Sequence, residues 1–208
     1  RVVEIACETL GKENVFVATD DERISDVIEN YGYNYIMTTD CPSGTDRVAQ
    51  ASRLMEADIV LNVQGDEPLL NPNDIERVIE HKKKHMDSVV NCMSKIDSEE
   101  ANNVNTIKVV TNYDNDLIYM SRSPIPATKV GLSDNTYKQV CIYAFTKQQL
   151  EKFYKMKKTL LELDEDIDIL RFLEMGINVK MIETFGTTQA VDVPEDVDKV
   201  IGLINVSS

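Results

Sequence analysis

An α/β fold, one three-layer domain on a mainly parallel mixed sheet, is predicted by three features of this sequence. Short β-branched runs alternate with amphipathic helical stretches through the first 84 residues, the signature of a doubly wound sheet. Polar clusters collect where the predicted strands end, which is where open α/β sheets bind ligands. No repeat, low-complexity tract or linker divides the 208 residues, a length that suits one domain spanning 1–208.

In chain order, residues 2–10 read as the tail of a helix stopped at Gly11. Residues 14–19 read as a buried strand. The acidic run Asp20-Asp21-Glu22 then opens a helix whose apolar stripe is Ile24, Val27, Ile28 and Tyr31. A strand over 35–39 leads through Pro42-Ser43-Gly44 into a helix with Val48, Ala51 and Met55 on one side. Residues 58–64 form the next strand, and Asn71-Pro72 starts a helix facing inward through Ile75, Val78 and Ile79. Strands follow over 88–96, 106–111 and 117–120, then a polar loop over 127–136 and a strand over 139–145. Helices are expected over 147–154 and 164–175, a strand over 178–182, and a last helix from Pro194 with the stripe Val197, Val200, Ile201 and Ile204.

Composition narrows the function. The formal charge is −14, from 36 acidic against 22 basic residues, a field that disfavours nucleic acid and anionic membranes as partners. The cluster Lys82-Lys83-Lys84 ends a predicted helix, where it complements the macrodipole. Cys7, Cys41, Cys92 and Cys141 are widely spaced without a C-x-x-C pair, which fits reduced thiols in a cytoplasm. No apolar run is long enough to span a bilayer. His81 and His85 share a face of a lysine-rich helix with no further metal ligand nearby. Neither a phosphate-loop motif nor G-x-G-x-x-G is present.

The polar clusters are 40–47, 64–68, 121–126 and 189–196. Each has a structural explanation when taken alone. Ser43-Gly44-Thr45 suits a helix cap, Asp192 before Pro194 suits an N-cap, and Arg122 suits a surface ion pair. Asp66-Glu67, after the apolar run 58–61, suits either a polar turn or a carboxylate pair holding a hard cation and, through it, a phosphate. Together, helix N-termini and carboxylates at one sheet edge suit a nucleotide and its metal.

Several stretches resemble the sugar-acid cytidylyltransferases. Residues 15–24 are similar to their V-x-V-A-T-D-D-x-x-I run. Ser43-Gly44-Thr45-Asp46-Arg47 is similar to the S-G-T-[DE]-R motif of the 3-deoxy-manno-octulosonate (KDO) branch, and Asn62 to Pro68 reads N-V-Q-G-D-E-P without a change. Residues 105–110, 121–126, 142–143 and 191–196 follow in the family's order, so the resemblance covers essentially the whole chain. It implies a nucleotidyltransferase domain of the nucleotide-diphospho-sugar transferase type, transferring a cytidylyl group from CTP to KDO with Mg2+ and releasing pyrophosphate. It further implies a cytoplasmic homodimer in lipopolysaccharide biosynthesis, with the 108–143 segment as a small excursion that helps the dimer form. Asp66 and Asp192 resemble the catalytic, metal-holding aspartates. Ser43, Gly44 and Gln64 resemble nucleotide-pocket residues. Arg47, Gln64, Arg122, Gln139, Tyr143 and Asp168 resemble the side that receives the sugar acid.

The sequence also departs from the family. Cys41 stands where a His usually precedes S-G-T, and Gln139 and Cys141 replace a His and a Gly before Tyr143. Asp168-Ile169 stands where a late helix usually carries Glu-Gln. The family's opening strand and basic loop, of the type I-P-A-R-x-x-S-x-R-L-P-x-K, would lie upstream of Arg1. The 208 residues without it are expected to be inactive or nearly so. A cytidylyltransferase for another nonulosonic or amino-modified sugar acid, or a nucleotide-binding module without catalysis, are the alternative readings.

Overall fold

The structure, a computed structural model, describes residues 1–129, 131–133, 135–185, 190–191 and 193–206. Helix α1 (Val2–Leu10) ends at Gly11, whose φ of 82° an L side chain would resist. After a 3-10 turn, β1 (Phe16–Thr19) leads to α2 (Glu22–Asn30), where the Asp21 carboxylate accepts the Arg23 amide. Then come β2 (Asn34–Met37), α3 (Gly44–Ser52) and β3 (Val60–Val63). Asn71 caps α4 (Pro72–Lys84), and β4 (Val89–Lys95) follows. The acidic, Asn-rich loop holds a short helix, α5 (Ser98–Ala101), ahead of β5 (Lys108–Thr111) and β6 (Leu117–Ser121). A small hairpin, β7 (Ala127–Thr128) and β8 (Gly131–Leu132), precedes the long β9 (Tyr137–Phe145). A reciprocal Thr146–Gln149 capping box starts α6 (Lys147–Lys155). The chain closes with α7 (Leu160–Glu165), α8 (Ile169–Glu174), β10 (Val179–Glu183) and α9 (Pro194–Val206).

Among the described residues, six strands form one sheet in the order β10-β4-β9-β5-β6, with β3 also paired to β9. β10 runs parallel to β4, and β9 runs antiparallel to β3, β4 and β5, as β6 does to β5. Four of the six strands therefore share one direction: β3, β4, β5 and β10. The sheet is mixed, as expected: among the described residues β10–β4 is its parallel pairing and the other four pairings are antiparallel, because β9 is inserted among the co-directional strands. The period-2 rule sorts β9 between two cores. Val140, Ile142 and Ala144 pack with Ile75 and Val78 of α4 and Ala6 of α1. Tyr143 and Phe145 pack on the other face with Phe153 of α6 and Phe172 of α8. Helices on both faces make the three layers. β5, β6 and β9, all within the 108–143 segment or starting in it, are strands of this sheet, and the β7–β8 hairpin lies between them in the chain.

Four expectations need correction. Residues 14–19 do not form a fully buried strand: among the described residues β1 pairs with β2 alone, in a separate parallel pair, and Phe16 is 38% exposed. Among the described residues the other edge of β1 carries no ladder and borders a cleft of 1310 Å3 reaching Val60–Val63 of β3. The α2 stripe stays largely in solvent, with Val27 52% exposed, because α2 leans on this small pair instead of the six-stranded sheet. The helix expected over 164–175 is two helices, broken by Asp166 in the left-handed region (φ 54°). In α9 only Val200 of the predicted stripe is buried, whereas Val197 and Ile201 are exposed.

One lysine of the cluster is also less solvated than its position suggests, while Lys83 and Lys84 are exposed. Lys82 is buried, and its ammonium donates to the carbonyls of Met86 (3.1 Å) and Ser88 and to Gln149 Oε1 (2.8 Å). It satisfies carbonyls of the turn between α4 and β4 while joining α4 to α6.

Candidate active site

β3 carries the first part of the site. Its ladder with β9 extends one residue beyond the strand, where the Gln64 amide donates to the Cys141 carbonyl at 3.1 Å. The chain then turns, with the Glu67 amide reaching the Gln64 carbonyl at 3.3 Å. The buried Glu67 carboxylate accepts the Cys141 amide at 3.1 Å and fastens the turn back onto β9. The two adjacent acids thus differ in role. Glu67 is structural, while half-buried Asp66 stands at the strand's carboxyl end.

α3 supplies the second part. Ser43 has extended backbone and caps the helix, its hydroxyl accepting the Asp46 amide at 3.1 Å and donating to Asp46 Oδ2 at 2.8 Å. A Cβ on Gly44 would lie 3.6 Å from Gln64 Nε2, so the S-G-T-D-R and N-V-Q-G-D-E-P stretches are neighbours. Gly44, Arg47, Asn62, Gln64 and Gly65 all line the cleft between β1 and β3. Arg47 is held at the rim by Asp20 (2.9 Å) and the Thr38 hydroxyl (2.7 Å). The hydrogen bond from Arg47 keeps the Asp20 carboxyl below the usual carboxylate range.

β9 and α8 close the floor. Tyr143 is buried opposite Asn62 of β3 and Asn91 of β4. Burial raises its phenol well above the ordinary value, and the neighbouring Cys141, Asp168 and Asp66 push the same way, so it stays a neutral hydrogen-bonding group. Asp168 Oδ2 accepts the Thr45 amide at 3.1 Å, which joins α8 to the α3 N-terminus. Gln139 is buried and donates to Asn91 Oδ1 at 2.9 Å, while Asn91 donates to the carbonyls of Val140 and Ile142. Ile169, in the same late run as Asp168, is in the core.

The structure therefore gathers Ser43, Gly44, Gln64, Asp66, Tyr143 and Asp168 at one end of the sheet. Arg122 is held at the break between α7 and α8: its Nε donates to the Glu165 carbonyl (2.6 Å) and Nη2 to the Asp166 carbonyl (3.0 Å), while its amide donates to the Glu165 carboxylate (2.8 Å). Asp192 and Gln189 lie outside the described residues. Val191, the residue before Asp192, donates its amide to the Asp66 carbonyl at 2.9 Å.

Sequence reasoning missed Glu67 as the fastener, Asn91 as the partner of Gln139, and the buried Arg171, which grips Asp46. Arg171 did leave a signal, a lone cation inside Ile169-Leu170-Arg171-Phe172-Leu173. A charge in such a run must be paired if buried, but the sequence does not name the partner.

The cytidylyltransferase family model matches residues 1–182. The chain belongs to the cytidylyltransferase family. The Escherichia coli protein named 3-deoxy-manno-octulosonate cytidylyltransferase is 35% identical over 205 residues, covering 98% of this chain and 83% of that protein. The Shewanella frigidimarina protein named 8-amino-3,8-dideoxy-manno-octulosonate cytidylyltransferase is 35% identical over 205 residues, covering 95% and 84%. Among solved structures, a CMP:2-keto-3-deoxy-manno-octonic acid synthetase complexed with CTP superposes with a TM-score of 0.90 at 34% identity, covering 100% of this chain and 87% of the other. The present cytidylyltransferase thus shares the nucleotidyltransferase fold of that enzyme.

Proposed function

We propose that this cytidylyltransferase transfers the cytidylyl group of CTP to 3-deoxy-manno-octulosonate, giving the CMP-sugar and pyrophosphate. The proximity of Gly44 to Gln64 carries the reading, because it brings the two most specific sequence motifs together along the lining of one cleft. The sugar's anomeric oxygen forms a bond to the α-phosphorus as the bond to the β-phosphate oxygen breaks; the hydroxyl proton leaves to solvent and pyrophosphate departs. Positioning and charge stabilisation supply most of such a rate enhancement.

Magnesium is part of the proposal. Among the described residues no three His, Cys, Asp or Glu side chains gather around one point. A cation at Asp66 would complete its shell with substrate phosphate oxygens, water and one further carboxylate, for which Asp192 is the candidate. That all-oxygen donor set fits a hard divalent ion. Bound there, the ion would offset charge on the triphosphate and on the attacking oxygen. Ser43, Gly44 and Gln64 are assigned to the nucleotide, and Arg47, Tyr143 and Asp168 to the side that receives the sugar acid.

A homodimer completes the reading, supported by exposed Ile118 on edge strand β6 and Tyr113 in the β5–β6 turn. Among the described residues the cysteines form no disulfide, which suits a reducing cytoplasm. Pyrophosphate release by the full-length protein, measured with each nucleoside triphosphate against a panel of sugar acids, tests the assignment. Turnover confined to CTP with 3-deoxy-manno-octulosonate is expected. Release with CTP and only another sugar acid would replace the acceptor, and no release with any pair would overturn the function.

A further inference from the structure

We propose that Arg171 is a positioning residue for the nucleotide site, acting through Asp46 on the hydroxyl of Ser43. The proposal rests on the cytidylyl-transfer reading and adds a residue to it. Arg171 is 1% exposed, at the centre of α8, with its guanidinium 3.6 Å from the centroid of the Phe153 ring. It grips Asp46 with two nitrogens, Nη1 to Oδ1 at 3.2 Å and Nη2 to Oδ2 at 3.1 Å. Its Nε donates to Glu162 Oε2 at 2.6 Å, and Nη2 also reaches Glu162 Oε1. The carbonyls of Phe153 and Met156 take the remaining Nη1 donor capacity at 3.2 and 3.3 Å. A planar fork satisfied on every side has one orientation, and a lysine could not reproduce it.

The consequence lies at Ser43. A carboxylate held by a guanidinium fork can only accept, so the Ser43 hydroxyl must spend its single proton on Asp46 Oδ2. One lone pair of the same oxygen takes the Asp46 amide. What Ser43 retains for a ligand is its other lone pair. It is therefore fixed as an acceptor, suited to a hydrogen donor on the nucleotide such as a ribose hydroxyl or a base amino group. Asp168, three residues before Arg171 and thus on the same face of the chain's turn, holds the Thr45 amide. The late helix governs the α3 N-terminus at two points.

The test compares steady-state kinetics of the full-length wild type, Arg171→Lys, Ser43→Ala and the double variant, with folding followed by circular dichroism. Arg171→Lys should raise KM for CTP about tenfold, the scale of one lost hydrogen bond of about 1.4 kcal/mol, with kcat and the sugar-acid KM within about twofold. In the Ser43→Ala background the same change should have no further effect on KM for CTP, because the hydroxyl it orients is gone. Equal effects in both backgrounds, or an unchanged KM in Arg171→Lys, would overturn the proposal. Should Arg171→Lys fail to fold, Asp46→Asn keeps the volume and takes its place in the same cycle: a KM effect lost in the Ser43→Ala background supports the proposal, and one that persists there overturns it. Wild-type inactivity with CTP would instead reject the cytidylyl reading, so the two failures are distinct.

Discussion

The amide of Val191 donates to the carbonyl of Asp66 at 2.9 Å, although the two residues are far apart in sequence. This bond ties the segment before α9 to the turn after β3. Asp192 is the next residue in the chain, and the pair proposed for the metal is Asp66 with Asp192. Asp66→Asn and Asp192→Asn, each removing one charge while keeping shape, should each lower kcat about a hundredfold or more. Their melting temperatures should stay within a few degrees of wild type. If Asp192 is only a helix cap, Asp192→Ala will cost about 1 kcal/mol of stability and leave turnover nearly intact.

Gln139 yields a prediction about stability. Its amide donates to Asn91 Oδ1 in a buried network between β4 and β9. Gln139→Ala would leave that oxygen unpartnered in the core, at a cost of about 1–3 kcal/mol. Urea denaturation with an unchanged m-value measures it. A loss below a few tenths would show that the bond contributes nothing and that Gln139 is free to serve the sugar pocket.

A pH dependence follows from Glu165. Burial raises its carboxyl pKa, but hydrogen bonds from the Ser121 hydroxyl, the Arg122 amide and the Tyr119 hydroxyl outweigh this and hold it below the ordinary value. The unfolded chain, with a glutamate near about 4.3, binds the proton first as pH falls. The stabilisation from Glu165 is therefore complete above that value and is lost as pH drops through the lower, folded value. Glu165→Gln should flatten the acid limb of a melting-temperature profile and leave its shape above about pH 6 unchanged. An acid limb of the same steepness would remove Glu165 from the account.

The β1–β2 pair should be more labile than the six-stranded sheet. Among the described residues it has no ladder to the main sheet, and it is tied to α3 through Arg47 to Asp20 and Thr38, and through the Thr39 amide to Gln50 at 3.0 Å. Amides of Phe16–Thr19 should exchange hydrogen faster than those of β4 and β9, and Arg47→Ala should speed them further. Equal protection of the pair and the six-stranded sheet would mean that the pair unfolds only with the whole domain.

Much of this protein was legible from local pattern. The alternation of strand and helix stretches predicts the α/β class, and Asn71-Pro72 predicts the start of α4. The N-V-Q-G-D-E-P and S-G-T-D-R stretches predict the region of the site, because caps, periodicity and motifs depend on residues close in sequence. Pairing depends on residues far apart, and there the tertiary structure decided. Among the described residues it left β1 with β2 alone, exposed much of the α2 stripe, and broke 164–175 at Asp166. It also divided the roles of like residues. Of two adjacent acids, Glu67 is bound to the Cys141 amide 74 residues away; of two arginines assigned to the sugar, Arg122 is bound to 165–166 and Arg47 lines the cleft. A side chain's chemistry is written in its type, but its partner is chosen by the chain's return through space.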